Sequence, residues 1–230
     1  MTSPIRPPHH FPWLASEAHA LAEVGADFHR RGWMLGTSGS LSVRASDPDE
    51  PLNLFITVSG KDKGDLGGDD FLCVEDDGEI FQHLGDPKAS SEALFRGDKR
   101  PSGEILVHRA IYMTIPDASA VFHTHSVFAT LASLLPPEGQ GLTLPAVEML
   151  KGLGHWTGHP AVLPVIPNLP RIPDLAEAAA RAANPNVPAV LVRGHGIYAW
   201  GPDRPRARRH VESLEFLFEF IIRARALGLP

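Results

Sequence analysis

Two histidines stand one residue apart at the end of an apolar run, in the stretch "VFHTHSVFA" at residues 121–129. In an extended strand successive side chains point to opposite faces. His123 and His125 therefore share a face, and Thr124 is left with a packing role on the other. Two imidazoles on one face can hold a metal ion, but two half-buried histidines without a ligand fit the same spacing. The pair raises a metal site as a hypothesis and does not decide it.

A catalytic metal site needs a third protein ligand and an open position for water or substrate. His195 lies between two glycines at the end of the apolar run "PAVLV", and glycines let the backbone approach a ligand closely. His155 and His159, in the loop-like stretch "GHWTGH", are the alternative third ligands. The histidines on predicted helices, His108 among them, are expected to be solvated or partly buried.

Hydrophobic periodicity predicts the elements that must position these residues. Helical spacing of apolar residues and extended apolar runs are mixed along the chain, so we expect a three-layer α/β/α fold. Its central sheet should be mixed and largely antiparallel. Residues 1–230 are expected to form a single domain, with 1–12 as a flexible N-terminal tail. The predicted helices are 13–32, 102–113, 126–135, 174–183 and 204–227, and the predicted strands are 40–44, 53–59, 71–75, 79–84, 118–124, 161–166, 188–193 and 196–200.

Composition and charge exclude several classes of function. The chain has 230 residues and a net charge of -6, which disfavours a nucleic-acid partner. No apolar stretch approaches the ~20 residues that a membrane span requires. Cys73 is the one cysteine, so no intrachain disulfide is possible and a cytoplasmic location is expected. Arginines alternate with Glu212, Glu215 and Glu219 near the C-terminus, which predicts a solvated helix face.

Six short motifs in a fixed order resemble the class II aldolase/adducin family. They are "GTSGSLSVR", "VSGKDKG", "PSGE", "VFHTHS", "VEMLKGL" and "RGHGIYAWG", and the resemblance runs from about residue 14 to about residue 227. The last motif, together with "ARRHVESLEFLFE", favours a dehydratase branch of the family over the aldolases. The family's fold is the class II aldolase-like α/β fold, in agreement with the predicted elements.

The resemblance implies one zinc ion per subunit, bound by His123, His125 and His195. It implies an acid/base role for Glu148, although the residue pattern alone favours an exposed glutamate at a helix start, stabilised by the helix dipole. Glu104 matches the catalytic base of the aldolases, and in a dehydratase it becomes a carboxylate close to the metal.

The resemblance also places substrate phosphate against three short turns rich in glycine and hydroxyl groups. Their backbone N–H groups and hydroxyls can surround phosphate oxygens, and Lys63 can add a cation. This chain departs from the family at Ser40, where Asn or Gly is usual, and at Gly103, where a second small polar residue is common. The implied phosphate-binding residues are Thr37, Gly39, Ser40, Ser59, Gly60, Lys63, Ser102 and Gly103.

The expected activity is therefore zinc-dependent dehydration of 5-methylthioribulose 1-phosphate to 2,3-diketo-5-methylthiopentyl 1-phosphate, in methionine salvage. Two alternatives remain open from the sequence. One is a class II sugar-phosphate aldolase or epimerase of the fuculose or ribulose phosphate type, and the other is a non-catalytic scaffold of the adducin type. The resemblance further implies a homotetramer whose small-molecule partner is a sugar phosphate.

Overall fold

The structure is a computed structural model, and it describes residues 5–6, 14–46, 50–76, 99–154 and 159–229. The strand predicted at 79–84 and the alternative ligand His155 lie outside the described residues. So does most of the predicted N-terminal tail, although Ile5–Arg6 forms a short strand, which pairs with the strand Phe71–Glu75.

The described residues contain ten strands: β1 Ile5–Arg6, β2 Ser40–Arg44, β3 Asn53–Thr57, β4 Phe71–Glu75, β5 Ala120–Thr124, β6 Leu142–Leu144, β7 Ala161–Leu163, β8 Val165–Ile166, β9 Ala189–Val192 and β10 Gly196–Gly201. Eight of them form one sheet in the order β1-β4-β3-β2-β5-β10-β9-β8, and β6 and β7 form a separate pair. Every pairing in the large sheet is antiparallel except that of β8 with β9, which is parallel. The predicted mixed, largely antiparallel sheet is therefore confirmed.

Five α-helices cover the two faces of this sheet, as a three-layer fold requires. The first, third and fifth helices contribute to one buried cluster of apolar side chains, and the second and fourth contribute to another. The predicted three-layer α/β/α arrangement is thus confirmed. The helices are α1 Leu14–Arg30, α2 Ile105–Thr114, α3 Val127–Ser133, α4 Ile172–Ala182 and α5 Arg204–Ala226, and 3-10 segments occur at Lys63–Asp65 and Glu148–Leu153.

Periodic apolar residues explain where α1 and α5 pack. Leu14, Leu21 and Phe28 fall on one face of α1 and are buried, as their spacing predicts. The predicted stripe of α5 is buried in the same way, from Val211 to Ile221. Burial of these stripes fixes both helices against the sheet face that Thr124 also faces.

Two local differences from the sequence predictions concern Pro164 and Glu215. The single strand predicted at 161–166 is two strands, β7 and β8, which flank Pro164 and belong to different sheets. Proline has no N–H to donate to a strand ladder, so it marks the change of partner. Glu215, predicted on a solvated helix face, is instead buried on α5.

Strand order brings the candidate ligands together. β5 lies beside β10 with His123 paired to Tyr198, and β10 forms a hairpin with β9. The end of β5 therefore meets the turn that contains His195. None of the described helices combines the length and the hydropathy that a bilayer crossing requires.

Candidate active site

His123 is fully buried near the end of β5, and its ring is fixed on two sides. Its Nδ1 donates to the carbonyl of Ile197 at 2.8 Å, and its ring stacks on Tyr198 with centroids 4.0 Å apart. Because a carbonyl can only accept, Nδ1 carries the proton and Nε2 keeps a free lone pair. The strand pairing thus presents Nε2 of His123 as a ligand atom.

The other two candidate histidines point at the same place. Nε2 of His125 lies 2.6 Å from Nε2 of His123 and 3.2 Å from Nε2 of His195. Nδ1 of His195 lies 3.2 Å from Oδ1 of Asn168, which orients the ring and leaves Nε2 free when Nδ1 donates. Sequence reasoning missed Asn168, because a single asparagine between strands carries no signal of its own.

Glu104 completes the cluster from the start of α2. Its carboxylate lies 2.8 Å from Nε2 of His123 and 3.4 Å from Nε2 of His195. Burial by itself would raise the pKa of Glu104, but the surrounding imidazoles, His123 first, outweigh burial and hold that pKa well below its usual range. Glu104 therefore stays ionised at neutral pH.

These four side chains fit a metal ion. Their ligand atoms all lie within 4.8 Å of one another. Burial, followed by His123 and His195, lowers the pKa of His125 to about 3, and burial followed by His123 lowers the pKa of His195. His125 and His195 are therefore uncharged at neutral pH, and a cation placed between the three Nε2 atoms can accept a lone pair from each ring. Three imidazoles and a carboxylate are the donors that divalent zinc prefers.

Of the alternative third ligands, the structure brings His195 into the cluster. His159 is exposed and is not among the residues that cluster. The sequence pattern around His195 therefore gave the better indication, because the two glycines mark the tight β9–β10 turn. Gly194 has a left-handed φ of 66°, and β10 begins at Gly196.

A polar cavity of about 210 Å³ adjoins the cluster at His125 and Glu104. Of the eight predicted phosphate-binding residues, seven line it: Thr37, Gly39, Ser59, Gly60, Lys63, Ser102 and Gly103. Three chain segments that are distant in sequence therefore meet at one cavity beside the candidate ligands. Such a cavity, lined by hydroxyls, glycine backbone and one ammonium, is suited to an anion.

Lys63 is the cation of this cavity and is 1% exposed. Its Nζ donates to the carbonyl of Thr37 at 2.9 Å and to that of Lys61 at 2.8 Å, which leaves one hydrogen for a ligand oxygen. Thr37 has a φ of 68°, a strained conformation for a β-branched residue, and the bond from Lys63 holds it there. Burial lowers the pKa of Lys63, while Asp62 and Glu104 oppose that effect.

Ser40, the eighth predicted phosphate-binding residue, does not line the cavity. It is the first residue of β2 and is buried, and its Oγ lies 2.7 Å from Nε2 of His108. The sequence motif predicted Ser40 at the end of the turn. In the structure β2 already begins at Ser40, and the strand directs its side chain towards His108. The prediction that Ser40 belongs to the phosphate-binding residues is corrected accordingly.

His108 is the partner of this serine and was expected to be solvated or partly buried. It is fully buried, and its Nδ1 lies 2.7 Å from Oγ of Ser42. Burial, with a smaller effect of nearby His123, lowers the pKa of His108 to about 3. The available sequence signal was the pair Ser40 and Ser42, two hydroxyls on one strand face that need a buried partner.

Glu148 lies apart from the cluster. It is the first residue of the 3-10 segment Glu148–Leu153, its side chain is 78% exposed, and it forms an ion pair with Lys151 at 2.7 Å. Its neighbour Met149 lines a second cavity together with Leu35 and Ser126. The 3-10 segment therefore lies across a cavity from Ser126, the sequence neighbour of the candidate ligand His125. The Glu148 carboxylate itself is at the surface.

Comparisons with known proteins agree with this geometry. A protein of Microcystis aeruginosa named methylthioribulose-1-phosphate dehydratase is 36% identical over 209 residues, 89% of this chain and 94% of that protein. The protein of that name from Serratia proteamaculans is 40% identical over 218 residues, 93% of this chain and 94% of that protein.

A solved structure shares the fold of this chain, and a family profile gives its family. L-fuculose-1-phosphate aldolase from Thermus thermophilus has the same fold with a TM-score of 0.66, at 24% identity, over 93% of this chain and 98% of that one. The family described as Class II Aldolase and Adducin N-terminal domain matches residues 19–222. This match extends over most of the chain and contains all four clustered side chains, and the chain therefore belongs to the class II aldolase and adducin family.

Proposed function

We propose that this protein is a methylthioribulose-1-phosphate dehydratase, a hydro-lyase of methionine salvage. The observation that carries the proposal is the cluster of three histidines and Glu104 next to a cavity lined by Lys63 and three turns. The relatives that bear this name, at 36% and 40% identity, favour this reaction among those of the family.

We propose zinc as the metal, one ion per chain, held by His123, His125 and His195. The support is the donor set: three uncharged imidazole nitrogens with a carboxylate close by suit zinc better than magnesium or calcium, which prefer oxygen. When bound, zinc supplies Lewis acidity that polarises a ketone oxygen. Asn168 and the carbonyl of Ile197 fix the rings of His195 and His123 for this purpose.

The substrate phosphate is proposed to bind in the cavity lined by Lys63. Several groups there are available to phosphate oxygens: the third hydrogen of the Lys63 ammonium, the hydroxyls of Ser59 and Ser102, and the backbone of Gly60. Anchoring the phosphate there aligns the carbon chain beside the metal ligands, because the cavity and the cluster share His125 and Glu104.

Dehydration requires a proton to leave C3 and a proton to reach the hydroxyl that departs from C4. The resulting enol then tautomerises to the 2,3-diketone. We assign the proton transfers to Glu148, because its motif "VEMLKGL" resembles that of the dehydratases, and an orienting role near the metal to Glu104, whose carboxylate lies 2.8 Å from His123.

A second candidate function is sugar-phosphate aldolase chemistry. The position of Glu104 favours it, because this carboxylate lies at the cluster while Glu148 is exposed. In that reaction Glu104 would act as the base, and a carbon–carbon bond would break in place of a carbon–oxygen bond.

We further propose a homotetramer that works in the cytoplasm. The exposed apolar side chains on α5 support an assembly, and the single cysteine, a buried free thiol, fits a reducing compartment.

The test is to purify the protein, measure its metal content and offer it methylthioribulose 1-phosphate, with fuculose and ribulose phosphates in parallel. About one zinc per chain and formation of the diketone are expected. His123→Ala should lose both metal and activity, because a ligand is gone. Glu148→Gln should keep the metal and lower kcat about 10²- to 10⁴-fold, the usual contribution of general acid–base catalysis.

The control for Glu148 is Glu177→Gln, which alters an exposed glutamate on α4 and should leave metal content and kcat unchanged. Cleavage of fuculose or ribulose phosphate without diketone formation would establish the aldolase reaction instead. Normal turnover in Glu148→Gln together with an inactive Glu104→Gln would move the proton transfers to Glu104.

A further inference from the structure

A buried carboxyl lies on the side of β5 opposite to the candidate metal ligands. Glu215 of α5 is 3% exposed, and it accepts a hydrogen bond from Oγ of Ser126 at 2.5 Å. Oγ1 of Thr124 donates to the same carboxyl at 3.4 Å. Thr124, expected only to pack, is therefore one of two hydroxyls that hold Glu215.

These two hydroxyls flank His125 in the sequence. β5 ends at Thr124, and Ser126 is the N-cap of α3, where its Oγ also accepts from the backbone N–H of Ala129 at 2.9 Å. The backbone N–H of His125 itself donates to the carbonyl of Trp33 at 2.7 Å. The chain is thus tied down immediately before, at and after His125.

The hydrogen bonds continue from Ser126 through α3 to the other ligand loop. Oγ1 of Thr130 lies 2.9 Å from the carbonyl of Ser126 and 3.1 Å from the carbonyl of His195. Oγ of Ser133 accepts from the backbone N–H of Gly194 at 2.7 Å. A single short helix therefore connects the Glu215 contact with the backbone on which His195 is held.

We propose that Glu215 is a positioning residue of the metal centre, which fixes the backbone of His125 through Thr124 and Ser126 and, through α3, that of His195. The inference rests on the proposed function, because it requires that the cluster bind a metal. Glu215 touches neither the ligands nor the cavity lined by Lys63, so it acts only through the groups that it holds.

The choice of residue supports this role. Burying a carboxyl is costly, and an apolar side chain would pack at this position of α5 without that cost. Burial raises the pKa of Glu215 to about 7, although the hydroxyls of Ser126 and Thr124 partly oppose it. The carboxyl of Glu215 accepts hydrogen bonds from both hydroxyls, which an apolar side chain could not do.

The test measures zinc affinity by competition with a chelating dye, well below the unfolding temperature, for wild type, Glu215→Gln, Ser126→Ala and Glu219→Gln. Glu219 lies one turn further along α5, pairs with Arg223 at the surface and provides the matched control. Loss of a group that orients metal ligands costs about 10- to 100-fold in affinity. We expect about tenfold weaker zinc binding in Glu215→Gln and Ser126→Ala and none of that loss in Glu219→Gln.

Two further readouts separate positioning from a contribution to folding. The visible absorption spectrum of the Co²⁺-loaded protein should change in Glu215→Gln and in Ser126→Ala, because the ligand geometry relaxes, and should match wild type in Glu219→Gln. The losses of zinc affinity in Glu215→Gln and Ser126→Ala should add less than fully in the double variant, because the two changes share the contact between Glu215 and Ser126.

Unchanged affinity and Co²⁺ spectrum in Glu215→Gln and Ser126→Ala, with only a lower unfolding temperature, would overturn the inference and leave the proposed function intact. A wild-type protein that takes up no zinc would overturn both. If Glu215→Gln does not fold, Ser126→Ala and Thr124→Val probe the same contacts from the other side.

Discussion

At the scale of single residues, the buried carboxyl of Glu215 makes stability depend on pH. Burial raises its pKa from 4.5 to about 7 in the folded chain, so between these values the folded state binds a proton that the unfolded state has lost. Its contribution to stability is therefore fully present below pH 4.5 and is lost as the pH rises through about 7. A shift of this size corresponds to about 3 kcal/mol.

The prediction is a comparison of wild type with Glu215→Gln, because glutamine has nearly the volume of the glutamate side chain and does not titrate. The free energy of unfolding of wild type, relative to this variant, should fall by about 3 kcal/mol between pH 4.5 and pH 8. Urea unfolding at a series of pH values measures it. Taking the difference removes other titrations, such as that of His108, whose lowered pKa acts in the opposite direction. A difference that does not vary with pH would show that Glu215 is not protonated near neutrality.

Single residues also show what sequence reasoning can reach. The alternation of side chains along a strand predicted that His123 and His125 share a face, since this rule is local, and their ring nitrogens do converge although β5 itself ends at Thr124. The approach of Glu104 to His123 depends on where α2 begins relative to β5, which no local pattern contains. The predictions for Ser40 and Glu215 were wrong for a related reason. Ser40 lies at the boundary of a turn and a strand, and Glu215 lies among charged neighbours, so local polarity indicated exposure where the fold buries the side chain.

At the scale of elements, the site depends on how closely β10 approaches β5. A Cβ at Gly196 would lie 2.0 Å from the carbonyl oxygen of Thr124, far inside van der Waals contact. Side-chain rotation cannot relieve this contact, because the backbone alone sets the positions of the Cβ and of the carbonyl oxygen. The two strands meet here between His125 and His195, so glycine at this position sets the spacing of the ligands.

Gly196→Ala should therefore force β10 away from β5. We expect a loss of about 1–3 kcal/mol in the free energy of unfolding, the usual cost of overpacking, and weaker zinc binding as the ligands separate. Urea unfolding and dye competition measure the two effects. Gly68→Ala is the matched control, because nothing lies within 4 Å of the Cβ built there. Equal stability and zinc affinity in both variants would mean that the strand spacing does not control the site.

The element predictions succeeded where periodicity is local. The buried stripes of α1 and α5 and the core of each central strand followed from spacing alone. The prediction of one strand at 161–166 was wrong because Pro164 divides this apolar run between two sheets. Long-range packing sets the pairing partners of each half. The assembly of the phosphate cavity from three turns came from the family resemblance, since no physical rule brings such turns together in advance.

At the scale of the whole molecule, several exposed apolar side chains lie close together on α3 and α5. Val127 is 66% and Phe216 is 46% exposed, and Phe220 is 38% exposed. Phe216 lines a cavity with Val127 and Met149 and another with Phe220 and Leu227, so these side chains form a continuous surface along α3 and α5. Monomeric proteins rarely expose large continuous apolar patches, and this surface supports the proposed homotetramer.

The last prediction is that this surface holds the subunits together. Wild type should sediment as four chains of 24.9 kDa each, and Phe216→Glu/Phe220→Glu should sediment as a smaller species, because buried charges without partners destabilise an interface. Val162→Glu is the control, since Val162 is exposed on β7 and lines neither of the two cavities on this surface. Analytical ultracentrifugation at micromolar concentration measures the masses. A monomeric wild type would contradict the tetramer, and a double variant that still forms tetramers would place the interface on another surface.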